Sequence, residues 1–480
     1  MVFRRALAGL AVALLAAYLY ERAPVLYMMY SNAPQRIARL ANLGGGSEIK
    51  FADRPGFRSC EDALLVESLG VALVACDPGR ERWNTVMGVN VPDPSLGPVP
   101  GASLYVYDYK TFPGGDGDGH DEEAVLRTVE IVGFPRSEGE DGDDDGERDL
   151  HTLGMAFDEA TATLLVANHA RFGGGSRIEV FKLDGIAADG TQTQTPKATH
   201  VRTVRHPLIH APNSIALVEG AGGAAFFVTN DHAVPAARNK LLSLLETYVA
   251  PPTGTVVYVD MRGEAEGEGE VKAQVVARVP FANGIEVLNE TTLAVASTSR
   301  AAVYLYEVSP PFSASASSPP PFDSDSSRSP YKLTYTSRIR VPFLPDNLSL
   351  TRYYSSGTGT GDKTGTATTK LLIAGHAHVP SLARFSATRH ACNGDGAAGA
   401  DAETRAYCER SAQGAAGAAG IVGPEAPPSW VSEWSEEDGL RHLYVDTEYP
   451  SSATAARDGD RGVGIIAGLY AKGLLVWREQ

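Results

Sequence analysis

Residues 64–76 read LLVESLGVALVAC, two apolar runs of strand-forming residues on either side of Ser68-Leu69-Gly70. This pattern predicts a β-hairpin whose turn is centred near Ser68. In such a hairpin Cys60 and Cys76 lie opposite each other, where a disulfide can span the two strands. The alternative is a pair of buried thiols. The export signal described below favours the disulfide.

Similar β-rich runs, punctuated by Gly, Asn or Asp, recur along the rest of the chain. Examples are SLYVYDY (103–109), TLLVANH (163–169), AAFFVTND (224–231), TTLAVAST (291–298), KLLIAGH (370–376) and GIIAGLYAKGLLVW (464–477). Their spacing of roughly 40 to 60 residues is typical of β-propeller blades, four-stranded sheets that surround a central channel. The repeat is too loose to fix the number of blades. The main helical candidate is the stretch from Lys240 to Val249.

The composition indicates one globular domain that does not bind nucleic acid. The 480 residues carry a formal net charge of -16, whereas binding to nucleic acid usually requires a basic patch. The chain is 43% hydrophobic, and we predict a single propeller over residues 43–480. Acidic, Ser/Pro-rich or Gly/Ala-rich stretches cannot bury enough apolar surface to become ordered. We expect disordered loops between strands near residues 114–149, 309–330, 355–369 and 393–423.

The N-terminus has the features of an export signal. Arg4 and Arg5 precede the uncharged run 6–20, which is short for a bilayer span of about 20 residues. A second apolar stretch, 23–30, follows it without a convincing cleavage site. We predict a retained signal-anchor over residues 1–42, with a cleaved signal and secretion as the alternative. Either places the body in the secretory pathway, with the N-terminus at a membrane or lipid surface and Asn289 as a glycosylation candidate.

Several segments, taken in order, resemble the paraoxonase/arylesterase family of calcium-dependent, six-bladed β-propeller hydrolases. They are CEDALLV (60–66), LGMAFDEATATLLVANH (153–169), RTVRHPLIHAPNSIALV (202–218), FFVTNDH (226–232), VPFANGIEV (279–287), FLPDNLSL (343–350), LLIAGH (371–376) and LLVW (474–477). Each segment alone is a weak signal, and their shared order and spacing carry the resemblance. It implies an all-β, six-bladed propeller with an N-terminal hydrophobic helix.

The resemblance also implies one catalytic calcium ion at the bottom of the central tunnel. Its ligands by matching motif are Glu61, Asn213, Asn283, Asp346 and Asn347. Calcium prefers carboxylate and carboxamide oxygens, and two carboxylates balance its charge. Asn347 also begins a glycosylation sequon, but a glycan cannot share a buried ligand, and we favour the ligand. The family's second, structural calcium would use Asp62, but Ser214 replaces a further carboxylate, which weakens the case for that ion.

The implied activity is hydrolysis of carboxylic esters, either aryl esters or lactones, by an activated water that attacks a calcium-bound carbonyl. The family's histidine dyad would require histidines at positions 153 and 169, and this chain has Leu153 and His169. His169 is therefore a candidate base without its partner, and Asp346 or Glu61 is the alternative.

Three further residues match family segments that line the active site: Asp231, His232 and His376. The missing dyad histidine supports another interpretation, a non-catalytic metal-binding propeller that acts as a secreted or membrane-tethered binding protein. A related condensing propeller enzyme of the strictosidine-synthase type is a second rival. It does not require calcium, so the acidic and amide set argues against it. The natural substrate and the oligomeric state cannot be predicted from the sequence.

Overall fold

A computed structural model describes residues 2–86, 88, 99–110, 125–135, 148–172, 175–187, 195–262, 271–312, 329–354, 367–393, 399–412 and 425–479. The strands form six sheets. The first three blades, each written from its innermost strand, contain β3 (Cys60–Val66), β4 (Val71–Cys76), β5 (Ser103–Asp108) and β6 (Leu126–Thr128); β8 (Thr152–Asp158), β9 (Thr163–Asn168), β10 (Arg177–Asp184), β11 (Lys197–Val204) and β7 (Glu130–Val132); and β12 (Pro212–Leu217), β13 (Ala225–Asn230), β14 (Gly254–Asp260) and β15 (Lys272–Val279).

The last three blades have the same layout. They contain β16 (Ala282–Asn289), β17 (Thr292–Ser297), β18 (Ala302–Ser309) and β19 (Lys332–Arg340); β20 (Leu344–Tyr354), β21 (Ala367–His376), β22 (Ser429–Ser435), β23 (Gly439–Asp446) and β1 (Leu40–Ala41); and β24 (Ser452–Asp458), β25 (Val463–Gly468), β26 (Leu474–Arg478) and β2 (Ser47–Lys50). Each innermost strand contacts those of the two neighbouring blades, and β24 contacts β3, so the ring is closed. The predicted all-β, six-bladed propeller is confirmed.

Blade six combines both ends of the chain. Three of its strands come from the C-terminal region, and β2 completes the sheet by pairing with β26, with Ser47 opposite Trp477. The second strand of this blade, β25, is buried at every residue, as are β4, β9 and β13. Each blade packs between two others, so both faces of such a strand are covered. This explains why the sequence shows continuous apolar runs rather than a simple alternation.

Between the blades, the apolar core forms six clusters, one for each pair of neighbouring blades. Val74 of blade one and Val476 of blade six share one cluster, and Leu73 and Phe181 share the next between blades one and two. The other four clusters follow in the same way around the ring. The loops at the ends of the innermost strands are therefore held on a rigid frame.

Four helices accompany the blades in the described part of the chain: α1 (Val2–Ser31), α2 (Lys240–Val249), α3 (Val379–Asn393) and α4 (Ala402–Arg410). Both the predicted N-terminal helix and the predicted helix at 240–249 are present. The later part of α1 lies against the propeller. Val25 and Met29 pack on Leu344, and Arg22, which is 1% exposed, donates to the carbonyls of Tyr248 (2.8 Å) and Thr247 (3.1 Å).

No helix among the described residues has the length and apolarity that a membrane crossing demands. The signal-anchor over residues 1–42 stays a prediction.

Both cysteine pairs form disulfides. Cys60–Cys76 joins residues that face each other across β3 and β4, as the hairpin pattern predicts. Cys392–Cys408 joins α3 to α4, a pairing that the local sequence pattern does not predict. Helix α4 begins after Asp401, whose carboxylate accepts from the Thr404 amide at 2.7 Å, a regular N-terminal cap.

The predicted insertions have a mixed outcome. Helix α4 lies within 393–423, where composition suggested disorder, and β6 and β7 lie within 114–149. The composition rule missed these elements because a cap, a disulfide or a strand partner can order a short polar segment. Residues 114–124, 136–147, 313–328, 355–366, 394–398 and 413–423 of these insertions lie outside the described residues.

Candidate active site

Every innermost strand has a β-bulge or similar irregularity near its beginning. In β3 the register shifts between Cys60 and Asp62, and β8, β12, β16, β20 and β24 shift at the equivalent place. A bulge inserts a residue without a ladder partner and re-aims its side chain. The predicted calcium ligands all occupy these bulges: Glu61, Asn213, Asn283, Asp346 and Asn347. Blades two and six have Leu153 and Ala453 there instead, so the missing dyad histidine falls at a position equivalent to the ligands.

The bulges open onto a cavity of about 170 Å³ at the centre of the ring. Four of the predicted ligands line it, namely Glu61, Asn213, Asn283 and Asp346. The fifth, Asn347, is not part of the lining but donates from Nδ2 to Glu61 Oε1 at 2.9 Å. All five side chains are buried. The structure thus brings all five side chains together at the centre of the ring.

Four oxygen atoms at this centre lack hydrogen-bond partners among the described residues. Glu61 Oε2 and the Oδ1 atoms of Asn213, Asn283 and Asn347 are buried and find no donor among the described residues. Buried polar atoms are normally satisfied, so such a group of orphaned acceptors calls for an explanation. Two carboxylates and three amides form the kind of oxygen set that calcium prefers. The residues present fit a calcium ion.

The amide orientations are fixed by the surrounding network. Asn283 Nδ2 donates to Thr298 Oγ1 at 3.0 Å, and the Thr298 hydroxyl donates to the Pro345 carbonyl at 2.7 Å. Asn347 Nδ2 donates to both Glu61 Oε1 and Thr454 Oγ1, the latter at 2.8 Å. Because a carboxylate can only accept, Asn347 must direct its nitrogen toward Glu61. Both amides therefore leave their oxygens for another partner.

Electrostatics favours a cation at the same place. Burial raises the pKa of Glu61 well above its usual range, and the charges of Asp62 and Asp346 raise it further. Arg80, which is 3% exposed and lines the cavity, opposes this effect. Its Nε has no partner in the described structure. A divalent ion would offset the repulsion between the carboxylates, which one arginine only reduces.

Asp62 differs from the five in that its oxygens are already used. Oδ2 accepts from the Met155 amide at 2.7 Å, and Oδ1 accepts from the Ala63 amide at 2.9 Å and Thr454 Oγ1 at 3.0 Å. Burial raises the pKa of Asp62 to about 6 despite these donors. Donors among the described residues thus satisfy both Asp62 oxygens, so this side chain has no orphaned oxygen like those that support the first ion.

His376 lies in the cavity wall beside a predicted ligand. Its Nε2 is 2.9 Å from Asp346 Oδ2, and its Nδ1 is buried without a partner in the described structure. Since a carboxylate accepts only, Nε2 carries the proton and Nδ1 keeps a free lone pair. This is the arrangement of an oriented base.

His169 has a different environment. Its Nε2 is 2.6 Å from the Pro212 carbonyl, its Nδ1 contacts the Thr85 hydroxyl, and it is not among the residues that line the cavity. The carbonyl requires a donor, so Nε2 is protonated and the Thr85 hydroxyl occupies the lone pair of Nδ1. Burial lowers the pKa of His169. The structure therefore places His169 outside the cavity lining, with both ring nitrogens engaged in hydrogen bonds.

Asp231 and His232 form a buried pair beside the cavity, with Oδ1 and Nδ1 2.9 Å apart. Burial alone would lower the pKa of His232, but the charge and hydrogen bond of Asp231 outweigh it and the pKa is raised. His232 Nε2 lies 2.9 Å from Thr247 Oγ1, and its ring packs on Phe281 at 4.5 Å between centroids. Thr247 and Phe281 line the cavity, so the pair supports its wall.

Sequence reasoning missed some residues of the wall. Arg80 lies in a short helix, Pro78–Glu81, shortly after the buried strand β4. A charged residue so close to a buried strand was the one sequence feature that could have indicated its role in the wall. Thr298 and Thr454 orient the amides but have no motif of their own. Asn289 is exposed at a hairpin turn, where its glycosylation stays a prediction.

Part of the chain matches a known protein family. Residues 140–313 match the model described as Arylesterase. Over these residues the chain is similar to the arylesterases. The paraoxonase/arylesterase prediction is thereby confirmed, together with its six-bladed fold. The arylesterase match spans the bulges that carry Asn213 and Asn283.

Other comparisons are more distant. No curated protein sequence gives a match. Among solved structures, a luciferin-regenerating enzyme is 10% identical with a TM-score of 0.38, covering 90% of this chain and 94% of that chain. A functionally unknown protein from Desulfotomaculum acetoxidans is 7% identical with a TM-score of 0.36, covering 87% and 82%. The β-propeller domain of Myceliophteria thermophila Cps50 (Swd1) is 10% identical with a TM-score of 0.36, covering 90% and 99%. Likenesses at this level add nothing to the functional argument.

Proposed function

We propose that this chain is a calcium-dependent hydrolase of carboxylic esters, with aryl esters and lactones as its substrate class. The arylesterase match supports ester hydrolysis. The observation that carries the calcium is the set of buried oxygens without partners on Glu61, Asn213, Asn283 and Asn347, next to Asp346. The match to a family of hydrolases does not favour the non-catalytic alternative.

In this mechanism a bound calcium ion supplies Lewis-acid polarisation of an ester carbonyl. His376 Nδ1 accepts a proton from the attacking water, while Nε2–H donates to Asp346 Oδ2 and holds the ring in place. The apolar side chains of Phe281, Leu344 and Leu382 line the remaining wall. They exclude water and contact the apolar part of the substrate. A cavity of about 170 Å³ suits a small ester.

The cellular setting is also a proposal. Two disulfides suit the oxidising secretory pathway. Val12, Leu15 and Leu19 are at least half exposed on α1, which is consistent with contact between this helix and a membrane or lipid surface.

The direct test is hydrolysis of phenyl acetate and of small γ- and δ-lactones by the purified full chain. We expect turnover that falls by about 10²-fold or more in excess EGTA, because the positive charge opposite the developing oxyanion is lost. Adding calcium back should restore it. Turnover that ignores the chelator would contradict the calcium dependence, and no turnover of any ester would contradict the hydrolase.

A second test concerns the base. We expect His376→Gln to lower kcat by about 10²- to 10⁴-fold, the usual contribution of a positioned general base. The variant should still be stabilised by calcium against unfolding, since Gln removes the base and keeps the ligand Asp346.

The contrasting variant is His169→Gln. We expect its main effect on the free energy of unfolding, because it disturbs two buried hydrogen bonds outside the cavity. Urea denaturation and steady-state kinetics of both variants separate the two roles. A larger loss of kcat in the folded His169 variant than in the His376 variant would reverse the assignment.

A further inference from the structure

A second, larger recess lies beside the central cavity, where connections of blades one, two and three meet. It is a cleft of about 860 Å³. Its cationic and titratable lining residues are Arg171, Arg205, Arg238, His206 and His210, and none of the described residues that line it is Asp or Glu. The described lining of this cleft therefore carries positive charge, whereas the chain as a whole has a net charge of -16. We propose that this basic cleft binds a small molecule that carries a carboxylate or a phosphate group.

The basic cleft is assembled by the fold. Its walls come from residues 83 and 85 after β4, the β9–β10 connection, the β11–β12 connection and residues 233–238 before α2. These segments belong to blades one, two and three, so residues far apart in sequence bring three guanidinium groups to one recess. A positive, concave surface raises the local concentration of anions.

Two groups give the basic cleft a fixed geometry. The Trp83 indole donates to the His169 carbonyl at 2.9 Å, which holds the ring in the wall. The Arg171 guanidinium lies 5.7 Å from the Trp83 ring centroid and 5.1 Å from that of Phe172. Stacking of this kind orients the planar fork that binds carboxylate or phosphate through two hydrogen bonds.

Nearby carboxylates have partners of their own. Asp149 accepts from the backbone amides of Arg171 (2.7 Å) and Phe172 (3.0 Å) and pairs with Arg177 at 3.7 Å. Glu246 accepts from the backbone amides of Ala233 (2.9 Å) and Val234 (3.1 Å). These acids shape the connections that form the cleft but do not line it.

The basic cleft shares a wall with the cavity. In the segment 83–86, Trp83 and Thr85 line the cleft, whereas Asn84 and Val86 line the cavity. A ligand in the cleft therefore sits on the opposite side of the same segment. The proposal goes beyond ester hydrolysis and does not depend on it, because it concerns binding alone.

Isothermal titration calorimetry of the full chain with benzoate, phenyl phosphate and neutral phenol tests the proposal. We expect saturable binding of benzoate, phenyl phosphate or both, and none of phenol; which anion binds identifies the group recognised. The triple variant Arg171→Ala/Arg205→Ala/Arg238→Ala should weaken this binding by about tenfold or more, since it removes the charged hydrogen-bond donors of the cleft. Added NaCl should weaken it as well.

The matched control removes three exposed charges elsewhere, with Lys197→Ala/Lys272→Ala/Lys332→Ala at the first residues of β11, β15 and β19. It should bind like the wild type, and thermal melting should show that both triple variants fold. Absent binding of both anions, equal binding of phenol, or unchanged binding in the arginine variant would overturn the proposal. Esterase activity plays no part in this readout, so failure of the hydrolase proposal would be seen separately.

Discussion

Replacing Glu61 by glutamine should abolish calcium-dependent hydrolysis and yet leave the metal-free protein at least as stable as the wild type. Without a cation, Glu61 is a buried carboxylate near two others, and its raised pKa reports that penalty. Gln removes the charge at nearly constant volume, so the penalty disappears. With calcium the order should reverse, because the variant loses one of two charged ligands.

The measurement is urea unfolding of both proteins in EGTA and in saturating calcium. The wild type should gain about 2.7 kcal/mol when calcium is at 100 times its Kd, and the variant should gain little. Turnover of phenyl acetate should fall by at least about 10²-fold. Glu286→Gln is the matched control, because Glu286 lines a separate recess with Asp62. Equal stabilisation of Glu61→Gln and wild type by calcium would refute the ligand role.

Replacing Gly284 by alanine should damage both the fold and the site. A Cβ at this position would lie 2.5 Å from the Asp346 carbonyl oxygen, 2.7 Å from the Leu348 nitrogen and 2.8 Å from the Asn347 Cα. All three are backbone atoms and cannot move aside as a side chain can. The bulge of blade five must therefore shift and carry two ligands with it. We expect a loss of about 1–3 kcal/mol in unfolding free energy, as overpacking usually costs.

Calcium affinity should also fall, which calorimetry or calcium-dependent melting would measure. Gly46→Ala is the control, since a Cβ there meets nothing within 4 Å. It should change stability by no more than about 0.5 kcal/mol. Wild-type stability and calcium affinity in Gly284→Ala would show that the contact between the two bulges is not needed.

The architecture could be predicted because the strands and turns of a propeller blade have recognisable local sequence patterns. In the hairpin at 64–76 and in the similar runs along the chain, each strand is encoded by a few consecutive residues. Cys60 and Cys76 face each other, as the position of the turn requires. Strand periodicity and turn chemistry are local properties, so they can be read without the fold. The number of blades is not local and came from the family resemblance.

The candidate site was predicted less evenly. Its ligands occupy short motifs such as Pro-Asn-Ser and Ala-Asn-Gly, which the family resemblance made recognisable. The base was harder, because the choice between His169 and His376 depends on which ring nitrogen is already engaged. Thr85 and the Pro212 carbonyl decide this for His169, and both lie far from it in sequence. Tertiary packing alone likewise brings Arg80 and the α3 residues Val379, Leu382 and Ala383 into the cavity wall.

The pairing of β2 with β26 has a consequence for biosynthesis. Blade six stays incomplete until Leu474–Arg478 has been made, more than 400 residues after Ser47–Lys50. Until then both β25 and β2 present unpaired backbone edges, to which other chains can bind and cause aggregation. Closing so long a loop is slow compared with forming hairpins inside one blade. We therefore expect the ring of the nascent chain to stay open until β26 is made, and we expect the chain to depend most on chaperones at that stage.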